Sequence, residues 1–565
     1  VTTISFFFFF VENYLSNLRK YLNLPRLSLF MQIRSFFRRN KAFGFLSIIF
    51  IVWLTFLLVL SFVAQRNVIF YDALAEEDIS SHYTSEIPLF RYIIEPLIGY
   101  ALVMSNDFEW IFGIFLIFVG VRVSYYVLKK RGFEPSERAQ LLWLPIKDLI
   151  RFSCLLISLS IGIGLLIAAI MMFGFGFLYL NLYWMAMVQI IIPIDMMLIA
   201  LKAGHLLYKG YRSDLRFNYS ELSRYKAPSH PTKTDYLSRG IRREGAYFLG
   251  ITLLILGTNW ILVSTYFPVQ HIHVDLEEDE ILCDFHVHTI MSDGYLDPIE
   301  RVMWYIENGI DVAAFSDHDN LRGAKMAREF VKKNNLDLTV IMAEEWTDHE
   351  NNIHMNIFGL DETIVPLESE EEGGPKAMDA EHTIKYVKDQ GAYIIVNHYN
   401  YNENPDGGYG TPYTLEDLRD WGVDGFEIIN GGNLKHPKIR EFCLNNSLIC
   451  ISATDIHTNK EVNSFIKLKV EDPEDLDVDS IFARLKENKH EAVAINLQPN
   501  QIEYPSLLEE LGFEFIEGFI EYFLNLDRFQ ILSWILWSCS FFGGFTFLYS
   551  RIKQLDVEEL RRKLL

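Results

Sequence analysis

The sequence predicts an α/β domain carried by about six membrane-spanning helices, and two observations lead to this fold class. Half of the 565 residues are hydrophobic, and many of them lie in stretches that reach the roughly 20 residues a helix needs to cross a bilayer. In the later part of the chain, short runs rich in β-branched and aromatic residues alternate with amphipathic helical stretches. Such alternation is typical of a barrel-like α/β domain.

Six apolar stretches are candidate membrane spans. They lie at 43–64, 110–128, 153–181, 183–203, 246–267 and 530–549. Because the first and fifth contain no charged residue, buried core helices are the weaker interpretation of these stretches. A tight turn near Asn181 is expected between the third and fourth spans. If these two form one re-entrant unit, the number of spans changes, but the side on which the later segments lie does not.

The predicted organisation has six parts. They are a basic N-terminal segment at 1–42, a five-helix membrane region at 43–267, the α/β domain at 268–505, a linker at 506–529, the sixth membrane helix at 530–549 and a basic tail at 550–565. Met31 directly precedes the basic flank of the first span and is a candidate native start. In that case residues 1–30 are not native sequence.

Lysine and arginine are unevenly distributed between the loops, and this sets the expected orientation. The segments before the first span, at 129–151, at 204–245 and at the C-terminus are basic, whereas 66–108 is acidic. Cytoplasmic loops of membrane proteins carry the excess of basic residues. We therefore expect a multi-pass protein of the cell membrane, with both termini in the cytoplasm and 268–529 on the extracytoplasmic side.

The polar domain is strongly acidic. Residues 268–500 contain 46 acidic and 19 basic side chains, whereas the rest of the chain contains 27 acidic and 32 basic side chains. A surface of this sign repels nucleic acid unless bound cations offset the charge, so nucleic acid is not expected as a partner. The five cysteines show no C-x-x-C spacing, and the sequence implies neither a disulfide framework nor a cysteine-ligated metal.

Histidine and acidic residues stand at the ends of the predicted strands. His286 and His288 end the first strand. Because residues i and i+2 of a strand point to the same side, both imidazoles can bind one ion, although an H-x-H pair alone is weak evidence. Four more strand ends carry such residues: Asp317 with His318, Glu345 followed by His354, His398, and Asp455 with His457. Chance placement on a surface would not select strand ends repeatedly, so we expect one shared metal site.

The order of these motifs resembles the PHP superfamily, named for polymerase and histidinol phosphatase domains. The motifs are H-x-H-T-x-x-S-D-G at 286–294, S-D-H-D at 316–319, E-W-T with a later histidine, then N-H and D-x-H. The resemblance covers about 281–500. It implies a distorted seven-stranded (β/α) barrel with two or three divalent ions, Mn²⁺, Zn²⁺ or Fe²⁺, at the C-terminal ends of its strands. Members of this superfamily hydrolyse phosphoesters.

Carried onto this chain residue by residue, the resemblance implies three sets of metal ligands. They are His286, His288, Glu345 and Asp455 for the first ion, Glu345 as a bridge with His354 and His398 for the second, and Asp293, His318 and His457 for the third. Glu345 rather than Glu344 fits the family register, which places the glutamate two residues before Thr347.

The predicted catalytic residues are Asp317, His318 and Glu345. Asp317 is expected to orient His318 or a metal-bound water rather than to bind an ion, a role that carboxylates often play beside ligating imidazoles. Arg322 and Lys435 are candidates for binding the substrate phosphate, with solvated surface charge as the open alternative for each.

Together these expectations describe a membrane-anchored, metal-dependent phosphoesterase that hydrolyses a phosphorylated small molecule or lipid headgroup by metal-activated hydroxide. A 5′–3′ exonuclease or nucleotide phosphatase is a related alternative within the superfamily. A metal- or ligand-binding sensor that signals through the membrane helices is an alternative of a different class. The complete set of ligands favours catalysis, because a descendant that only binds is expected to have lost some of them.

Overall fold

The computed structural model describes most of the chain between residues 41 and 564. The described residues are 41–63, 66, 68–104, 110–132, 136–175, 178–211, 233–266, 270–367, 375–399, 410–431, 437–473, 476–497, 519–520 and 522–564. The segment predicted as non-native, 1–30, and most of the predicted linker lie outside the described residues.

Six helices are described before residue 270. They are α1 (Lys41–Val63), α2 (Leu89–Met104), α3 (Trp110–Lys130), α4 (Glu137–Phe175), α5 (Leu178–Tyr211) and α6 (Lys233–Val263). The turn expected near Asn181 is wrong, because this residue lies within α5. Asparagine is a weaker helix breaker than glycine or proline, and a single asparagine is tolerated inside a helix.

The strands of the domain form one large sheet and two small ones. The strands are β1 (Val68–Asp72), β2 (Glu77–Asp78), β3 (Tyr83–Glu86), β4 (His271–Val274), β5 (Glu280–Val287), β6 (Val312–Phe315), β7 (Thr339–Asp348), β8 (Ile353–Phe358), β9 (Ile364–Pro366), β10 (Lys376–Met378), β11 (Tyr393–Val396), β12 (Gly425–Asn430), β13 (Ile449–Ala453), β14 (Ser464–Lys469) and β15 (Glu491–Leu497). Eleven of them are paired in the order β13-β12-β11-β8-β7-β6-β5-β14-β15-β1-β2. The expected α/β class is confirmed.

The pairing within the large sheet is mixed. Strands β5, β6 and β7 are parallel, as are β11, β12 and β13, whereas β8 is antiparallel to both of its neighbours. The amide of Asp455 donates to the carbonyl of His286 at 2.9 Å, and the amide of His288 donates to the carbonyl of Ile456 at 3.2 Å. The end of β13 therefore meets the end of β5, although five strands separate them in the sheet order.

Strand β1 comes from the acidic segment between the first two candidate spans, which sequence analysis did not assign to the domain. It pairs antiparallel with β15, so that Val68 lies opposite Leu497 and Asp72 opposite Val493. Phe70 of this strand is buried in the domain core. The domain is thus assembled from two separate parts of the chain.

Six helices cover the sheet. They are α7 (Pro298–Asn308), α8 (Arg322–Asn334), α9 (Ala380–Asp389), α10 (Leu415–Trp421), α11 (Pro437–Asn445) and α12 (Val478–Leu485). Helix α7 begins with a capping box, in which the Asp297 carboxylate accepts from the amide of Glu300 and the Glu300 side chain accepts from the amide of Asp297. Its Trp304 and Tyr305 are fully buried.

Two helices close the chain, α13 (Arg528–Gln554) and α14 (Val557–Leu564). By length and composition, six helices could cross a membrane, namely α1, α3, α4, α5, α6 and α13. They correspond to the six predicted stretches. Helix α2 was not predicted, and its Arg91 and Glu95 are buried.

Candidate metal centre

The centre starts from the two histidines at the end of β5. The Nε2 atoms of His286 and His288 lie 3.0 Å apart, and both side chains are fully buried. The Nδ1 of His286 lies 2.7 Å from the carboxylate of Glu427, which holds the ring so that Nε2 faces the centre. Two facing imidazole nitrogens at this separation either share a proton or flank a cation.

Glu345 on β7 is the hub of the centre. Five imidazole nitrogens lie within 3.3 Å of its two oxygens: His286 Nε2 (3.2 Å), His288 Nε2 (3.1 Å) and His318 Nδ1 (3.1 Å) near Oε2, and His354 Nδ1 (3.0 Å) and His398 Nε2 (3.3 Å) near Oε1. The side chain is 1% exposed, and its Oε2 is buried without a hydrogen bond among the described residues. A buried carboxylate oxygen in this position calls for a cation.

Asp455 completes this part of the centre. Its Oδ1 lies 3.1 Å from His288 Nε2 and 3.4 Å from His286 Nε2, and its Oδ2 accepts from the amide side chain of Asn430 at 3.0 Å. The φ angle of Asp455 is +48° and that of His398 is +25°, in the left-handed region that non-glycine residues adopt at a cost. The fold therefore holds two predicted ligands in strained backbone conformations.

The spacing of the donors suits a divalent ion. Ligands about 2.0–2.1 Å from a tetrahedral ion lie about 3.3–3.4 Å from one another. The Nε2 atoms of His286 and His288 lie 3.0 Å from each other, 3.1–3.2 Å from Glu345 Oε2 and 3.1–3.4 Å from Asp455 Oδ1. Three groups of side chains in the described part of the chain meet the geometry of a metal site: His286, His288 and Glu345; His318, Glu345 and His354; and His288, Asp293, His318 and His457.

Asp293, His318 and His457 form a second, more open corner. The Asp293 carboxylate lies 3.6 Å from His318 Nε2 and 3.3 Å from His457 Nε2. Their side chains are 50%, 24% and 33% exposed, respectively, whereas His286, His288 and Glu345 are almost fully buried. His318 Nδ1 lies 2.6 Å from the Thr347 hydroxyl, which leaves Nε2 facing this corner.

The charges of the centre are strongly coupled. Burial alone would raise the pKa of Glu345, but the imidazoles of His318, His286 and His354 hold it well below its ordinary value. Burial opposes protonation of His288, yet its contacts with Asp455 and Glu345 raise the pKa of His288 to about 10. The carboxylates thus draw positive charge into the site, as protons in the ion-free protein and as metal when ions are bound.

Asp317 lies beside the loop that carries Asp293. Its buried carboxylate accepts hydrogen bonds from the amide of Thr289 at 2.7 Å and from the hydroxyl of Ser292 at 2.9 Å. The Ser292 hydroxyl also lies 3.3 Å from His288 Nδ1. These contacts fix the loop 289–294, and the orientation of His318 or of a metal-bound water by Asp317 stays a prediction.

Two glycines allow this loop to pack. A Cβ atom on Gly294 would lie 2.6 Å from the backbone of His288, and one on Gly323 would lie 1.9 Å from the Asp317 carboxylate. The final position of the S-D-G motif therefore needs glycine for close approach to the strand end, and the start of α8 needs glycine beside Asp317.

Of the two predicted phosphate-binding cations, the structure describes only Arg322. Arg322 begins α8 and its side chain is exposed, with no ion pair to the centre among the described residues. Lys435 lies outside the described residues, and its role stays a prediction. A cavity of about 370 Å³ adjoins the donors and is lined by ligands, by neutral polar side chains and by the apolar Ile353 and Val396. The lining residues include Asn352, Asn397, Asn430, Tyr399, Thr411, His398, Asp455 and His457.

Sequence reasoning missed the residues that support the ligands. Glu427 is fully buried in β12, where it contacts His286 and accepts from the amide of His398 at 2.9 Å. Asn397 donates to Glu345 Oε1 at 2.9 Å. The signal for Glu427 was present, because a carboxylate within the otherwise apolar strand Gly-Phe-Glu-Ile-Ile needs a buried partner.

Glu344, the neighbour of Glu345, points to the other face of β7. Its Oε1 accepts from the amide of Ile364 at 2.8 Å, and burial raises its pKa well above the ordinary value. Alternation along the strand thus places only one of the two adjacent glutamates among the donors.

Comparison with protein-family models and with curated proteins finds no match. Among solved structures, a two-domain protein from Bacteroides vulgatus containing a predicted PHP-like metal-dependent phosphoesterase is 22% identical, with a TM-score of 0.32 over 45% of this chain and 74% of that one. A candidate metal-dependent phosphoesterase from Bifidobacterium adolescentis is 18% identical, with a TM-score of 0.26 over 36% of this chain and 95% of its own.

An amidohydrolase from Chromobacterium violaceum, with bound sulfate and no metal, is 16% identical, with a TM-score of 0.23 over 31% of this chain and 87% of its own. The solved structures that this chain is similar to thus include two metal-dependent phosphoesterases, one of them PHP-like, and an amidohydrolase. Each of these solved structures covers less than half of the chain. The function assigned to the chain therefore depends on the side chains of the centre.

Proposed function

We propose that this chain is a membrane-anchored, metal-dependent phosphoesterase. The observation that carries the proposal is the buried Glu345 Oε2, which accepts no hydrogen bond from the described residues and faces imidazole nitrogens of His286, His288 and His318 at 3.1–3.2 Å. Hydrolytic sites for phosphate esters use such shared carboxylate ligands to hold ions close together. Two or three divalent ions, Mn²⁺, Zn²⁺ or Fe²⁺, suit a donor set made of imidazole and carboxylate.

The side chains of this chain would hold the ions and fix their surroundings. Bound divalent ions supply Lewis-acid polarisation of phosphoryl oxygens and lower the pKa of water. Glu427 orients His286, Thr347 orients His318, and Asn430 orients Asp455. In hydrolysis the oxygen of water forms a bond to phosphorus, the ester P–O bond breaks, and the alcohol leaves with a proton that water released.

The seven-stranded barrel and the membrane topology belong to the same proposal. The hydrogen bonds between the ends of β5 and β13 support a ring of β5, β6, β7, β8, β11, β12 and β13. The basic loops support an arrangement with six spans, both termini in the cytoplasm and the domain on the extracytoplasmic side of the cell membrane.

The test is metal-dependent hydrolysis by the full chain, because β1 comes from the membrane region and an isolated 268–505 fragment would lack it. Purified protein with Mn²⁺ or Zn²⁺ should hydrolyse p-nitrophenyl phosphate or its bis-ester, and chelation should remove the activity. Protein that binds ions stoichiometrically but turns over neither ester would overturn the proposal in favour of a binding module.

A further inference from the structure

The loop that follows the D-x-H motif is fastened to the end of a candidate membrane helix. Asn459, two residues after His457, is 3% exposed. Its side-chain amide donates to the carbonyls of Leu262 and Thr265, both at 2.7 Å. These carbonyls stand at the C-terminal end of α6, where helix carbonyls lack intrahelical partners. One ligand loop of the open corner is therefore joined directly to a candidate span.

The other loop of the open corner contacts the same helix. Tyr295, two residues after Asp293, packs its ring against that of Trp260 in α6, with ring centroids 4.8 Å apart. The amide of Tyr295 donates to the carbonyl of His457 at 2.7 Å. Trp and Tyr side chains are enriched where membrane helices meet the headgroup layer. These contacts place Asp293 and His457 close to the expected membrane surface.

Buried charges fasten the same loop to a second helix. The guanidinium of Arg91 in α2 pairs with Glu461, and Arg66 lies 3.5 Å from the same carboxylate. Arg91 also pairs with Glu95 at 3.3 Å, and the Tyr522 hydroxyl donates to Glu95 at 2.7 Å. The pair between Arg91 and Glu461 joins the loop after His457 to α2.

Exposure of the donors increases toward the membrane helices. His286, His288 and Glu345 are at most 1% exposed, whereas His457 is 33% exposed and Asp293 is 50% exposed. The most accessible donors are thus the two whose loops contact α6. A phosphate ester that approaches the centre from the side of Asp293 and His457 passes close to the end of the candidate span α6.

We propose that the substrate is a phosphate ester anchored in the bilayer, a lipid headgroup whose apolar chains stay in the leaflet nearest the domain. This inference rests on the proposed phosphoesterase function. The cavity beside the centre, about 370 Å³, is of the size that holds a small headgroup. Its described lining contains no lysine or arginine, so bound ions would offset the phosphate charge.

The test compares the same headgroup with long and short chains, using the full chain loaded with Mn²⁺ in phosphatidylcholine vesicles. Dioleoyl phosphatidic acid and dioleoyl phosphatidylglycerol supply a monoester and a diester in the bilayer. Their dihexanoyl forms, below the concentration at which they form micelles, supply the same groups in water. We expect kcat/KM for at least one long-chain lipid to exceed that of its short-chain form at least tenfold, and the rate to follow the lipid mole fraction in the vesicle.

Equal kcat/KM for the two forms, or hydrolysis of soluble esters alone, would overturn the lipid assignment and leave the phosphoesterase function standing. No hydrolysis of any ester by ion-loaded protein would overturn both. Trp260→Ala, which removes the contact between α6 and Tyr295, should lower the long-chain rate more than the short-chain rate. Trp143→Ala, an exposed tryptophan in α4, is the matched control and should leave the ratio unchanged.

Discussion

The two corners of the centre use the same kinds of side chain but differ in their surroundings. At the buried corner, His286, His288 and Glu345 lie at the ends or middle of strands and are almost fully buried. At the open corner, Asp293 and His457 lie on loops and are a third to a half exposed. Rigid, dry surroundings strengthen electrostatic attraction, whereas water weakens it. The ions at the two corners of this centre should therefore differ in affinity and in how readily they exchange with ions in solution.

The largest effect is expected from Glu345→Gln. This change removes the carboxylate that faces five imidazole nitrogens, and the amide cannot offset the charge of an ion. Changes to residues that only support metal ligands lower metal affinity or activity by about 10–100-fold. Loss of this ligand itself should therefore lower metal affinity and the rate of hydrolysis by more than about 100-fold. Metal content by mass spectrometry and initial rates measure both.

Glu344→Gln is the matched control, since burial already raises the pKa of Glu344 and its side chain lies on the opposite face of β7. Metal content and rate should stay near those of the unchanged protein. If the two variants lose metal equally, Glu345 is not the hub of the centre.

A smaller effect is expected from Glu427→Gln at the buried corner. The amide keeps the shape but loses the charge that holds the His286 ring through Nδ1. Support of this kind is worth about 10–100-fold in metal affinity. Competition with a chelator of known affinity measures the change. The exposed Glu441 is a suitable control as Glu441→Gln, and a metal affinity unchanged by Glu427→Gln would contradict the orienting role.

At the open corner, Asp293→Asn should remove one ion and leave the buried corner loaded. Asp293 contacts His318 and His457, and it lies 3.6 Å from Nδ1 of His288, whose Nε2 is closer to Glu345, at 3.1 Å. Equilibrium dialysis should therefore show one ion fewer per chain. Loss of all ions would show that the two corners do not bind independently.

The pH dependence follows from the shifted pKa values. In the ion-free protein, the raised pKa of His288, about 10 instead of 6.5, contributes stability that is complete below pH 6.5 and is lost as the pH rises toward 10. The depressed pKa of Glu345 contributes stability above its ordinary value of 4.5 that is lost in acid. Ions replace the proton of His288, so their affinity should increase with pH, by up to about tenfold per unit for each proton displaced.

Thermal unfolding with and without a chelator tests this dependence. Between pH 6.5 and 9 the Tm of the chelated protein should fall, whereas that of the ion-loaded protein should fall less or not at all. Parallel curves for the two forms would contradict the proposed exchange of protons for ions.

The smallest effect is expected from Asn459→Ala. The change removes two hydrogen bonds between the His457 loop and the end of α6. At about 0.5 to 1 kcal/mol for each bond, ion affinity at the open corner should fall by about 5- to 30-fold, and the buried corner should not change. Asn334→Ala, on an exposed face of α8, serves as the control. An equal loss at both corners would indicate a general loss of stability instead.

Much of the centre could be predicted because its ligands are encoded locally. The alternation of β5 places His286 and His288 on one side, and the alternation of β7 separates Glu345 from Glu344. The six apolar stretches likewise correspond to six long helices, since length and hydropathy are properties of a continuous segment.

The contacts that could not be predicted join distant segments. The partners of Asp317, Thr289 and Ser292, lie 28 and 25 residues earlier in the chain. The pairing of β1 with β15 joins residues more than 400 positions apart. The contacts of Asn459 with α6 are of the same kind. A local pattern carries no information about which distant backbone will supply a partner.

The most direct test of the metal centre is the number and affinity of the ions bound by the full chain. Equilibrium dialysis with Mn²⁺ should give two or three ions per chain in two affinity classes, with the weaker class absent in Asp293→Asn and the tighter class lost in Glu345→Gln. Less than one ion bound per chain at millimolar Mn²⁺, or binding that Glu345→Gln leaves unchanged, would contradict a metal centre at these residues.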